Sequence, residues 1–403
     1  MSVEIRAILE EERDECVQLW CAVWGGEANR PYFSKYFYGD VEWLPYYTIV
    51  AKEDGKLVSA VHICKRTVPC GDYRLTMGGI ANVATLPEHR GKGYNTQCLQ
   101  KAVEVMEADA MDFSLLFTGI NGYYARLGYE TLPGTLYSGK IRADFAPSPS
   151  PYTVRPANLE DVPALYALYE QYNAQRPLSV QRTPAYWRDW CKVSATSIPE
   201  GITVAMDTSG RVVGYLRRGH FTSAAAYSEE ELEVRITECA FDSSDPQGIA
   251  QALYAKVAHE LLAAGATRLR LGMLLDPAIE AAVAPILETI EASEARYGMF
   301  RILHPTNLLK SLTFEMNERW AQAGRPKGSI TIQTPYGYTR LDATGEFFRV
   351  SEVAGAERAI TQGEFLGLLF GSNAPQSVAK GEEALYTALF EKRYPCFWGA
   401  DGF

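Results

Sequence analysis

The stretch that most constrains this chain is Ile80-Ala-Asn-Val-Ala-Thr-Leu-Pro-Glu-His-Arg-Gly-Lys-Gly-Tyr-Asn95. Its first part is β-prone (Ile80, Val83, Thr85) and reaches Pro87. A basic turn follows, Arg90-Gly91-Lys92-Gly93, and then a helical pattern with Leu99, Ala102, Val103 and Met106 on one side. A strand feeding a glycine turn that opens a helix leaves the first helical N–H groups without intrahelical partners, at the positive end of the helix dipole. Such a turn is an anion site, and its flanking cations suit a phosphate.

At 403 residues the chain exceeds one ordinary core and predicts two to three domains. A net charge of -10 without a long Lys/Arg block argues against a nucleic-acid partner and suits an amine or cationic substrate. The eight cysteines are scattered with no CxxC pair, which predicts neither a disulfide framework nor a zinc site. No apolar run approaches a membrane span and Met1-Ser-Val-Glu-Ile leads straight into a strand, so the expected location is cytoplasmic, with no membrane partner.

In chain order, Val3 to Ala7 reads as a strand and Glu10 to Trp24 as a helix. Residues 25–46 are aromatic and irregular, suiting either core or a pocket wall. Tyr47 to Lys52 and Lys56 to Thr67 form a hairpin across Glu53-Asp-Gly55, and Tyr73 to Thr85 is the strand that enters the glycine turn. After the helix come a strand, Phe113 to Phe117, a short helix, Gly122 to Gly128, and a strand, Tyr129 to Ile141. Phe145-Ala-Pro-Ser-Pro-Ser-Pro151 reads as a boundary. Beyond it the pattern repeats, with strand Leu232 to Phe241 and helix Gln247 to Ala264 joined by Asp242-Ser-Ser-Asp-Pro246. Carboxylates there replace the basic residues and the glycines are gone, so the second copy should not bind a phosphate. From about residue 300 a smaller α+β pattern follows, ending on the aromatic stretch Tyr394 to Phe403.

Arg90-Gly91-Lys92-Gly93-Tyr94-Asn95 resembles the acetyl-CoA loop of the GNAT superfamily of N-acetyltransferases, R/Q-x-x-G-x-G/A, departing from it only at Asn95. The strand before it, the helix after it, and Tyr124 in the next short helix stand where that superfamily has them. Over nearly its full length the chain resembles the enhanced intracellular survival (Eis) family. The resemblance implies an α/β and α+β architecture: tandem GNAT folds, each a mixed central sheet flanked by helices, and a sterol-carrier-protein-like C-terminal domain. The implied boundaries are a catalytic domain at 1–145, a degenerate GNAT domain at 151–295, and the sterol-carrier-like domain at 300–403. Homo-oligomers, on the family's precedent hexamers, are also implied.

The implied reaction is direct acetyl transfer from acetyl-CoA to a primary amine of a small cationic molecule, aminoglycoside- or polyamine-like, or of lysine. For the cofactor, the turn from Arg90 to Asn95 would take the pyrophosphate, with Arg90 and Lys92 adding charge, and backbone groups at Val83 and Thr85 would pair with the pantetheine arm and thioester. Tyr124 would be the general acid, with Tyr123 as its rival, and the α-carboxylate of Phe403 the base. Trp24, Glu27, Tyr32 and Asp401 are candidate substrate contacts. No metal is expected: the five histidines have no ligand spacing, and Cys98 reads as a core thiol. A non-catalytic protein that binds acyl-CoA or an apolar ligand is the alternative.

Overall fold

The computed structural model describes residues 2–132, 134–223, 232–272, 274–295, 298–379 and 381–403. Contacts divide the chain into one unit of Met1–Pro133, Arg296–Arg393 and Phe403, and a second of Gly134–Ala295 and Tyr394–Gly402.

The first unit begins with strands β1 (Val3–Ala7), β2 (Thr48–Glu53), β3 (Lys56–Cys70), β4 (Tyr73–Thr85), β5 (Phe113–Phe117) and β6 (Glu130–Thr131), and with helices α1 (Arg13–Val23), α2 (Arg30–Tyr38), α3 (Tyr94–Ala108) and α4 (Asn121–Ala125). Asp54 and Gly55 take positive φ between β2 and β3, as the Asp-Gly pair predicts. β3 and β4 are antiparallel, whereas β4 and β5 run parallel and need the crossover that α3 supplies. Leu99, Ala102, Val103 and Met106 of α3 are buried, confirming its apolar stripe. Cys98 is buried beside them, and burial pushes its thiol up to about 12.

The second unit holds β7 (Gly134–Lys140), β8 (Thr153–Pro156), β9 (Ile202–Met206), β10 (Val212–Ser223), β11 (Leu232–Phe241), β12 (Ala266–Gly272) and β13 (Glu291–Ala295), with α5 (Val162–Asn173), α6 (Pro184–Asp189), α7 (Pro246–Ala263) and α8 (Pro277–Val283). Its sheet order is β13-β7-β12-β11-β10-β9-β8, and β11 and β12 are parallel around α7 as β4 and β5 are around α3. The chain returns to the first unit with β14 (Gly298–Ile302), giving the sheet order β1-β2-β3-β4-β5-β14-β6. The two seven-stranded mixed sheets are thus a tandem repeat in which β14 holds the place in one that β7 holds in the other.

The units therefore depart from the continuous segments 1–145 and 151–295. The single strand expected over Tyr129 to Ile141 is divided between the two sheets as β6 and β7. Phe300 of β14 stacks on Phe113 of β5 with ring centroids 6.1 Å apart. The proline-rich run 145–151 is a connection inside the second unit.

The remaining chain forms β15 (Ser329–Thr334), β16 (Gly337–Asp342), β17 (Arg349–Val353) and β18 (Ile360–Thr361), in the order β17-β16-β15-β18, with α9 (Pro305–Gln322), α10 (Gln362–Leu369), α11 (Pro375–Val378) and α12 (Glu383–Leu389). This α+β segment belongs to the first unit through buried Gln362. Its Nε2 donates to the Gly128 carbonyl at 2.7 Å, and its Oε1 accepts from the Ile302 N–H at 2.9 Å. Among the described residues no helix is long and apolar enough to cross a membrane.

Within the second unit, fully buried Arg182 donates to Asp401 from Nε and Nη2, both at 2.9 Å, and also to Glu238. The Tyr169 and Trp187 rings lie 3.8 and 4.3 Å from its guanidinium carbon. Removing Arg182 would leave two buried carboxylates uncompensated. Arg182→Met is therefore expected to cost about 3–5 kcal/mol in urea unfolding; a loss below about 1 kcal/mol, the range of an exposed pair, would contradict the account.

Candidate active site

A cleft of about 1150 Å³ opens in the first unit, lined from the glycine turn along β4 to α4 and Phe403. At one end α3 starts without a side-chain cap. Gly91 and Gly93 have φ of 78° and 80°, which L side chains resist. A Cβ at Gly91 would meet nothing within 4 Å, and one at Gly93 only the Gln97 amide at 3.9 Å. The glycines thus serve backbone conformation and leave open space before the helix N-terminus, a fit for a phosphate group. Arg90 lines the cleft and its Nε donates to the Thr85 carbonyl at 3.3 Å.

Lys92 behaves differently from its expected role. Its Nζ donates to both oxygens of Glu53 at 2.9 Å, and it is not among the residues lining the cleft. Glu53, only 6% exposed at the end of β2, also accepts from the Tyr94 hydroxyl at 2.7 Å and pairs with His89 Nδ1. Hydrogen bonds from Lys92, Tyr94 and His89 hold its carboxyl at about 2. Lys92 is therefore a strut of the turn. Sequence reasoning missed Glu53 because it sits beside an Asp-Gly pair and reads as an ordinary hairpin residue.

Along β4 the register slips: His62 faces Ala81 and Ala60 faces Ala84, so Asn82 and Val83 share the place opposite Val61. Asn82 adopts a φ of 49°, and its buried Nδ2 has no hydrogen-bond partner. Asn is among the few residues that visit this conformation readily. An unmet buried donor costs about 1–3 kcal/mol, which a ligand oxygen would offset. Asn82, Val83 and Thr85 all line the cleft. The Thr85 hydroxyl lies 2.8 Å from that of Ser59.

Tyr124 lines the cleft, is 7% exposed, and has its phenol pushed up to about 12 by burial and by Tyr123. The Tyr123 hydroxyl donates to Asn95 Oδ1 at 3.0 Å and lies 3.2 Å from the Thr96 hydroxyl. Tyr123 is thus engaged with α3. Phe403 joins the same cleft, its ring 5.7 Å from that of Phe117. It sits over Gly79, where a Cβ would come within 2.3 Å of the ring, so only glycine leaves room there. The sequence offered a Gly78-Gly79 pair inside a strand but no partner to explain it.

Of the four candidate substrate contacts, Trp24 and Tyr32 line the cleft. Glu27 does not: it accepts from Arg30 Nε at 2.6 Å on the surface. Asp401 is corrected likewise, being fully buried against Arg182 in the second unit. Among the described residues, ligand atoms of Asp40, His62 and Cys64 lie within 4.8 Å of one another. Asp40 is bonded by Arg66 at 3.0 Å, while burial pushes the Cys64 thiol up to about 12 and His62 down to about 3. A guanidinium and a protonated thiol oppose a cation, and the group reads as packed core.

Residues 4–132 match the family model described as an acetyltransferase (GNAT) domain. The first unit carries a GNAT acetyltransferase domain. The protein is thereby an acetyltransferase. Solved structures of similar fold include a probable N-acyltransferase from Enterococcus faecalis V583 (16% identity, 98% of each chain covered, TM-score 0.70). A GCN5-related N-acetyltransferase from Anabaena variabilis is similar at 15% identity, with 98% of each chain covered and a TM-score of 0.69. Eis1 from Mycobacterium abscessus is similar at 15% identity over 98% of this chain and 99% of its own, with a TM-score of 0.63. No curated protein matches the chain.

If Glu53 holds the turn of this GNAT domain, Glu53→Gln should raise amide exchange across residues 89–96 by about tenfold in hydrogen–deuterium exchange mass spectrometry. Unchanged protection would remove Glu53 from that role.

Proposed function

We propose that the protein transfers the acetyl group of acetyl-CoA directly to a primary amine of a small molecule or of lysine, in the first-unit cleft. The observation that carries this reading is that one cleft holds the uncapped glycine turn, the β4 bulge, Tyr124 and Phe403 together. A sensor of acyl-CoA would need the turn but neither of the last two. The full-length fold shared with Eis1 supports placing the chain beside the Eis family.

In this reading the backbone N–H groups from Arg90 to Asn95 and the Arg90 side chain bind the pyrophosphate, while Lys92 stiffens the turn from behind. Backbone groups at Val83 and Thr85 pair with the pantetheine arm and the thioester oxygen. The amine nitrogen attacks the acetyl carbon, forming the C–N bond as the C–S bond breaks. Tyr124 gives its proton to the departing sulfur, and the α-carboxylate of Phe403 takes the proton lost from nitrogen. A carboxylate is a weak base toward an ammonium, so acceptor molecules arriving as neutral amine react fastest.

Tyr124→Phe is expected to lower kcat by about 10²-fold, with acetyl-CoA affinity unchanged by calorimetry. Because burial holds the Tyr124 phenol protonated up to about pH 12, activity should rise with pH as the amine deprotonates. It should show no decline at the ordinary tyrosine value of about 10. A pH–rate profile that falls near that value would show that burial does not raise the Tyr124 phenol in the working enzyme. Extending the chain past Phe403 with a Gly-Ser tail should reduce kcat at least about tenfold, whereas full activity of the extended protein would remove the carboxylate as the base.

A further inference from the structure

We infer that the acceptor is a monoamine on an aromatic or aliphatic body rather than a polycation; this deepens, and rests on, the acetyl-transfer reading above. The inference comes from the charges of the cleft wall. Among the described residues that line it there is no aspartate or glutamate side chain, and its two arginines, Arg90 and Arg126, lie by the glycine turn that the cofactor reading gives to the pyrophosphate. The two acidic residues expected among the substrate contacts lie outside the cleft wall, Glu27 paired with Arg30 and Asp401 with Arg182, and Glu53 is held by Lys92.

Apolar surface takes the place of charge. Trp24, Tyr32, Phe117 and Ile120 are 52%, 47%, 43% and 63% exposed, and all four line this cleft. Large apolar side chains gathered at one cavity mark a binding surface for an apolar body. The face of the Tyr32 ring is already met by Lys35 Nζ at 4.6 Å. The unpartnered Asn82 Nδ2 offers a hydrogen to an oxygen and nothing to an ammonium.

The consequence is a count of charges. A polyamine or aminoglycoside would bring several ammonium groups, exchanging their hydration for a wall that supplies no carboxylate side chain. A single amine needs one anionic group, which the proposed base at Phe403 provides, while its body packs on Trp24 and Phe117.

The test is a thiol-release assay with acetyl-CoA comparing 2-phenylethylamine, tryptamine and n-hexylamine with spermidine and kanamycin. The monoamines should exceed the polycations in kcat/KM by at least about tenfold; the reverse order would overturn the inference. Calorimetry of 2-phenylethylamine and spermidine on the CoA-saturated protein reads the same order without turnover. If no amine is acetylated, the acetyl-transfer reading fails, and tighter spermidine binding would still overturn this one while tighter 2-phenylethylamine binding would support it. Placing one carboxylate on the exposed rim, Ile120→Glu, should shift the spermidine-to-phenylethylamine ratio toward spermidine by about fivefold. An unchanged ratio would contradict the charge argument.

Discussion

The site depends on one buried carboxylate. Glu53 gathers Lys92, Tyr94 and His89, three residues of the glycine turn, onto the end of β2. A flexible turn with two glycines at positive φ would lose conformational entropy on meeting a ligand. With Glu53 ionised and its partners in place, that cost is met on folding. The open space before α3 is thereby present in advance, at the end of a helix whose first N–H groups have no side-chain cap.

The second unit shows what happens when the same topology has other side chains. At the start of α7, Asp245 Oδ1 accepts from the Gly248 N–H at 3.0 Å, and Asp242 accepts from the Ser244 N–H at 2.9 Å. The helix end is satisfied by the chain's own carboxylates. One repeat thus leaves uncapped a helix end that its sister has filled. This supports the expectation that phosphate binding is confined to the first unit.

Much of this was legible in the sequence because it is local. The strand–turn–helix at 80–108, the Asp-Gly hairpin and the apolar stripe of α3 follow from periodicity and glycine chemistry within a few residues. What was not legible is long-range. Glu53 meets Lys92 across 39 residues, Gly79 makes room for Phe403, and β14 enters the first sheet after an entire unit has intervened. Lys92 was expected at the pyrophosphate from its place in the glycine turn, and Glu27 and Asp401 at the substrate, whereas each is held by an ion pair that only the fold reveals. Asn82 was legible as a strand residue but not as the strained, unpaired donor of a bulge.

The central claim is that the first-unit cleft, and not its counterpart, receives CoA. It is tested most directly by the hydrogen-exchange footprint of CoA on the full chain. The account predicts protection across residues 82–96 and around Tyr124, with none at 242–248. Protection at the α7 turn, or none at the glycine turn under saturating CoA, would contradict it.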